Sequence, residues 1–197
     1  MTTDRTPDRT PAPEPAGSRV HDWLTGLSRA AAAGRPTDPA HPPRDGRGAA
    51  DLVLLGQAAV ALGTAQRALV LARHRAGTRF VGGRPLIERQ STGHRLARGA
   101  AQIAVARATV LAAGRDEDAG IAAEYRAPAS AAAAAEAAFT CAQALVQVFG
   151  AAGTSDPDAT AAFEACQAAA SAAGPVPRLW LQAGRRRPAD VPGARTV

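Results

Sequence analysis

Apolar residues recur at three- and four-residue steps over most of the chain's middle, the spacing of helices that bury one face. Residues 50–76 contain no proline and place Leu52, Leu55, Ala59, Leu62, Ala65/Gln66, Leu69 and Ala72 on one stripe, which predicts a long helix ended by Gly77. A loop follows over 77–84, GTRFVGGR. Pro85, a residue favoured in a first helical turn, predicts the start of a second long helix, with Leu96, Ala100, Ile103, Ala106 and Val110/Leu111 on its stripe and Gly114 as its stop. After the turn GRDEDAG and a short lead-in over 121–126, Pro128 predicts the opening of a third helix, which runs to Phe149 and is capped by Gly150. Its first half is nearly pure alanine, Ala131–Ala135, and its second half carries Phe139, Ala142, Leu145/Val146 and Phe149. Asp156-Pro157 predicts a fourth, alanine-rich helix to about residue 173, anchored by Phe163 and Cys166, and 175–183 predicts a last short one. No stretch alternates β-branched with polar residues, so no sheet is expected. The fold class that follows is all-α: an antiparallel bundle of three to four long helices.

The flanks read differently. Residues 1–17 are Thr, Asp, Arg and Pro without period, the pattern of a disordered tail. Residues 18–33 fit one short helix with Ser18 as N-cap and Val20, Trp23, Leu24 and Leu27 on a face. Residues 34–48, GRPTDPAHPPRDGRG, read as a linker, and eight of the 15 prolines precede residue 44. The expected organisation is therefore a tail and linker over 1–48, a helical bundle over 49–183, and a loose Arg/Pro-rich tail over 184–197.

Composition changes this picture in two places. Alanine supplies 52 of the 197 residues, and Leu, Ile, Val and Phe only 33, but 24 of those 33 lie between residues 51 and 150, so one compact segment has a core. All 23 basic residues are arginine and none is lysine, giving a net charge of +6. Arginine richness suits nucleic-acid binding. Lysine is absent and alanine raised along the whole chain, however, which is the mark of GC-rich coding, and no helix shows a clustered basic face. Aromatic residues are too scattered for a base-stacking platform, so nucleic acid is not an expected partner.

Other chemistry is excluded or quiet. No apolar run of membrane-spanning length is free of charge, and the N-terminus has no secretory pattern. Two cysteines, Cys141 and Cys166, make neither a disulfide framework nor a zinc spacing, so a cytoplasmic protein with reduced thiols is expected and both are read as small core residues. His74 and His94 are expected to be solvated rather than metal ligands. No Ser–His–Asp spacing is present, and a phosphate-binding GxxxxGK loop is impossible without lysine.

One set of spacings carries more. Gly63-Thr64-Ala65-Gln66-Arg67-Ala68-Leu69 is followed by Arg79, then Gly83-Arg84-Pro85-Leu86, then Gln90, with 16 residues from Gly63 to Arg79 and 11 from Arg79 to Gln90. Further on stand Gln147-Val148-Phe149-Gly150-Ala151-Ala152-Gly153 and Pro175-Val176-Pro177-Arg178-Leu179-Trp180. Together, over about residues 49–183, these resemble the C-terminal helical domain of acyl-CoA dehydrogenases: a G-x-A-x-x-A-L helix, R-x-x-F-G-x-P, a glutamine, Q-x-x-G-G-x-G, and the segment before an R-D pair. The resemblance implies that Arg79, Gln90, Gln147, Gly150, Ala151 and Gly153 contact the adenosine diphosphate part of an FAD shared across a subunit interface. An arginine fork suits a diphosphate, and glycines let backbone N–H groups approach it.

The departures are informative as well. Gly82 stands where the family has an aromatic, Ala151 replaces the second glycine, Leu181-Gln182 replaces R-D, and an extra helix intervenes between Gly153 and Arg178. Dehydrogenation α to a thioester needs a carboxylate base. Counting nine residues from Leu181 gives Asp190, a weak candidate without the family's Gly-Thr; the family's other base position is Val53, which is no base. The family's N-terminal helical domain and middle β-domain have no counterpart in this chain. The resemblance thus implies a small helical subunit of an FAD-dependent acyl-thioester oxidoreductase. It would oligomerise with its own kind or with an acyl-CoA dehydrogenase-like chain and be inactive alone. The alternative is a catalytically inactive scaffold without flavin.

Overall fold

The structure is a computed structural model and describes residues 20–43 and 48–186. The expected tail over 1–17 and residues 187–197 of the expected tail over 184–197, with Asp190, lie outside the described residues, whereas Gly184, Arg185 and Arg186 of that tail are helical. Among the described residues six α-helices follow one another: α1 (Val20–Ala32), α2 (Ala49–Thr78), α3 (Gln90–Asp118), α4 (Arg126–Phe149), α5 (Pro157–Ala172) and α6 (Val176–Arg186). The bundle is all-α in architecture, and α2 and α4 form its central pair, with α3 and α5 packed on α4 and α1 packed on α2.

Alanine explains the closeness of that central pair. Ala58, Ala61, Ala65, Ala68, Ala72 and Ala76 of α2 are buried, and so are Ala131, Ala134, Ala135, Ala138 and Ala142 of α4. Methyl-sized side chains let helix axes approach, and the few large residues, Leu55, Leu62 and Leu145, fill what remains. Over half of the apolar stretch of both α2 and α4 is inside the protein, so these are core helices. Phe139, assigned to the core by its spacing, is instead 49% exposed, because Cys141, Leu145 and Val148 occupy the inward positions.

Two helix ends differ from expectation. Gly114 does not stop α3, which continues to Asp118. The glycine is a notch: a Cβ there would lie 2.9 Å from Leu24 and 3.2 Å from the His21 backbone, both on α1. Pro85 does not open a helix either. It lies in a two-stranded hairpin, β1 (Phe80–Val81) against β2 (Arg84–Pro85), so the chain does contain a small sheet. Gly82 and Gly83 form its two-residue turn with φ of +62° and +77°, a backbone that only glycine adopts freely and that matches strand twist. Gly82 therefore replaces an aromatic for a local backbone reason.

The helix expected over 18–33 is α1, and it shares the core. Val20, Leu24 and Leu27 are buried on α2 and α3, so the packed unit reaches back to Val20 and does not begin at Ala49. Asp118, the last residue of α3, caps α1 from outside: its carboxylate accepts from the Val20 N–H at 2.8 Å and the His21 N–H at 3.1 Å. Replacing Asp118 with alanine is expected to cost about 1–2 kcal/mol. A urea titration would show the lower midpoint, and faster proteolysis within 33–48 would show that α1 is the part released.

Cys141 and Cys166 are buried free thiols, as their spacing on apolar faces implied. Burial first, then the neighbouring Cys166, pushes the Cys141 thiol up to about 12. Burial pushes Cys166 to about 11, opposed in part by its hydrogen bond with Thr64. The folded chain therefore holds these protons more tightly than the unfolded chain, whose thiols ionise near 9.0. Their contribution is present in full below that value and is lost as pH rises toward the folded values. Urea midpoints are expected to fall as pH rises from about 9 to about 11, and thiol reagents to react only with the unfolded chain.

Candidate functional site

Arg79 ends α2 in an extended conformation, φ −89° and ψ 122°, with its N–H bonded to the Arg75 carbonyl. The hairpin fixes it there, since the Leu86 N–H closes back on the Arg79 carbonyl at 2.7 Å. From this position its Nη1 donates to the Val148 and Phe149 carbonyls, each at 3.3 Å. These are terminal carbonyls of α4, the negative end of a helix dipole, which a guanidinium offsets. Residues 69 and 70 positions apart in sequence are thus brought together, and a Cβ on Gly150 would lie 3.7 Å from Arg79 Nη1.

Residues 150–154 form a single 3₁₀ turn. Gly150 has φ of +58° and takes the chain off α4. Gly153 is held close to Phe149: a Cβ on it would sit 3.1 Å from the Phe149 Cβ. Its carbonyl accepts from the Thr160 hydroxyl at 3.0 Å. Gln147 and Ala151 are exposed on the same end of α4. Gln90 is exposed at the first residue of α3, and no hydrogen bond among the described residues joins it to Arg79 or to the 147–153 turn. Val53 is half-buried in α2, and Leu181 is 52% exposed on α6.

A groove of 520 Å³ runs beside this turn. Leu145, Val146 and Phe149 line one side of it, and Thr160, Phe163 and Glu164 of α5 the other. The helix that intervenes before Arg178 therefore builds one wall of the candidate site. Arg67 at 3.2 Å from Asp158 ties the first turn of α5 to α2.

Arg75 is a member that sequence reasoning missed. Its guanidinium lies 5.5 Å from the centre of the Phe149 ring, and its Nε is buried without a hydrogen-bond partner among the described residues. Its signal was available: Arg75 precedes Arg79 by four residues, one turn of helix. The fold also gathers what no single helix displays. Between residues 73 and 98 there are seven arginines against one carboxylate, Glu88, which leaves six positive charges, as many as the chain's whole net charge of +6. They lie on the C-terminal half of α2, the hairpin and the first turns of α3, so one end of the bundle is strongly basic. A polyphosphate is the ligand chemistry this end suits.

The acyl-CoA dehydrogenase C-terminal domain is the family whose model matches, over residues 55–187. The chain belongs to this family. Solved structures agree. The ChsE4–ChsE5 complex from Mycobacterium tuberculosis is 29% identical with a TM-score of 0.66, covering 72% of this chain and 40% of that one. Butyryl-CoA dehydrogenase from Megasphaera elsdenii is 27% identical with a TM-score of 0.64, covering 70% and 36%. A probable acyl-CoA dehydrogenase from Mycobacterium abscessus is 28% identical with a TM-score of 0.64, covering 70% and 37%. The chain thus spans well under half the length of these relatives. No curated protein matches it. The matched segment begins at residue 55, so α1 lies outside it.

Proposed function

We propose that this chain is a helical subunit of an FAD-dependent acyl-CoA dehydrogenase-like oxidoreductase, acting on an acyl thioester in the cytoplasm together with a partner chain that supplies the β-domain. The observation that carries the reading is the meeting of Arg79 with the end of α4 and the 150–154 turn, at 3.3 Å. Two family motifs far apart in sequence become one site. A heteromeric relative, the ChsE4–ChsE5 complex, supports pairing with a second acyl-CoA dehydrogenase-like chain.

The residues present fit the diphosphate end of FAD. Arg79 spends one nitrogen on the α4 carbonyls and keeps other N–H donors for a phosphate. Arg75 adds charge and an Nε without a partner, and Gly150 and Gly153 leave the turn's backbone open to approach. Gln147 and Ala151 border the same turn, and Gln90 takes its place only if the partner brings the cofactor across the first turn of α3. When bound, FAD would accept the hydride released as the thioester is oxidised. This chain's own residues hold the cofactor's far end. The proton at the α-carbon needs a carboxylate, which Val53 does not offer; the partner supplies it in this reading, with Asp190, outside the described residues, as the candidate the family count points to.

A specific observation favours the second reading, a scaffold without flavin. An inserted helix, α5, forms one wall of the groove beside the 150–154 turn, and Val53 carries no base. A dye-coupled assay with acyl-CoA substrates separates the two. Turnover by the chain with its acyl-CoA dehydrogenase-like partner, and none by either alone, is expected; no turnover by the pair would favour the scaffold.

A further inference from the structure

Helix α1 does more than extend the core. Between it and the α2–α3 face lies a half-open cavity of 180 Å³, away from the Arg79 turn. Leu24, Leu62, Val110 and Leu111 give it an apolar floor. Arg29 of α1 and Arg107 of α3 border it, and no acidic residue lines it. Neither guanidinium has an ion pair or a hydrogen bond among the described residues.

An apolar slot flanked by two uncompensated guanidiniums matches one simple ligand chemistry: a carboxylate on a short hydrocarbon chain. The chain end replaces water against leucine and valine, while the carboxylate takes charge-assisted bonds from planar arginine donors. Size sets the length. A cavity of about 150 Å³ holds a benzene-sized molecule, so the 180 Å³ here has room for about six carbons. Two arginines also exclude cations. One wall is α1, which precedes the segment matched to the family, and none of the flavin-site candidates lines the cavity, so the inference is independent of the flavin reading.

We infer that the cavity between α1, α2 and α3 binds a short-chain monocarboxylate, with Arg29 and Arg107 holding the carboxylate. Occupancy would bind α1 more firmly to the bundle, since both walls contribute.

Calorimetric titration of the full chain with sodium hexanoate, acetate and hexylammonium tests this. Hexanoate is expected to saturate one site, about tenfold or more tighter than acetate given the added methylenes, and hexylammonium to show no binding. The Arg29→Gln/Arg107→Gln double variant, altered only at exposed positions, is expected to weaken hexanoate at least about tenfold while its circular dichroism stays unchanged. Absence of saturable hexanoate binding, equal binding of hexylammonium, or full affinity in the double variant would each overturn the inference.

Discussion

Gly63→Val is expected to destabilise the chain by about 3 kcal/mol or more, lowering its thermal midpoint by roughly 10 °C. The reason is a contact between α2 and α1. A Cβ on Gly63 would lie 2.2 Å from the Ser28 carbonyl oxygen, 2.6 Å from the Ala31 Cβ and 2.9 Å from the Ala32 N. Two of these are backbone atoms of a helix, which cannot swing aside as a long side chain can. Gly56, two helical turns earlier on the same face, is a second notch, where a Cβ would lie 2.6 Å from Trp23. Either the core shifts or α1 leaves its seat. Hydrogen exchange distinguishes them: loss of protection confined to Val20–Ala32 means release of α1, and loss across α2 means core strain. A Gly63→Val protein as stable as the parent would show that α1 does not sit in this notch.

Arg79→Ala carries the largest expected functional effect. Under the flavin reading, the complex with the partner chain should lose flavin affinity by about two orders of magnitude, the scale of a charge-assisted fork to a phosphate. The folded bundle should lose only about 1 kcal/mol, from two hydrogen bonds to α4 carbonyls in a half-buried place. Arg79→Lys should recover the charge but not the fork, leaving an intermediate affinity. Equilibrium dialysis of FAD against the three complexes, beside their urea midpoints, makes the comparison. Unchanged flavin affinity in Arg79→Ala would leave Arg79 as a helix cap and nothing more.

The long helices were legible because period and punctuation agreed along α2 and α4. The errors are local and share a cause: glycine and proline were read as helix punctuation where tertiary contacts had another use for them. Gly114 is a notch for α1, and Pro85 pairs in the second strand of a hairpin whose turn, Gly82-Gly83, lies in the stretch expected as a loop. No one-dimensional pattern marks which glycine faces a neighbouring helix. The same holds for charge. The arginines of 73–98 are unremarkable on either helix alone, and only the hairpin between α2 and α3 gathers them at one end. The link between Arg79 and residues 148–150 became visible in sequence through family spacing. Arg75 escaped because no motif named it, although its position one turn before Arg79 put it on the same face. Phe139 misled for the opposite reason, since an aromatic at helical spacing reads as core even where it faces outward.

The direct test of the central claim is the visible absorbance of the purified chain, alone and co-purified with an acyl-CoA dehydrogenase-like partner that carries a β-domain. The flavin reading predicts a colourless chain alone, and an oxidised-flavin band in the complex that fades when Arg79 is replaced by alanine. A stable complex with no flavin band would contradict it.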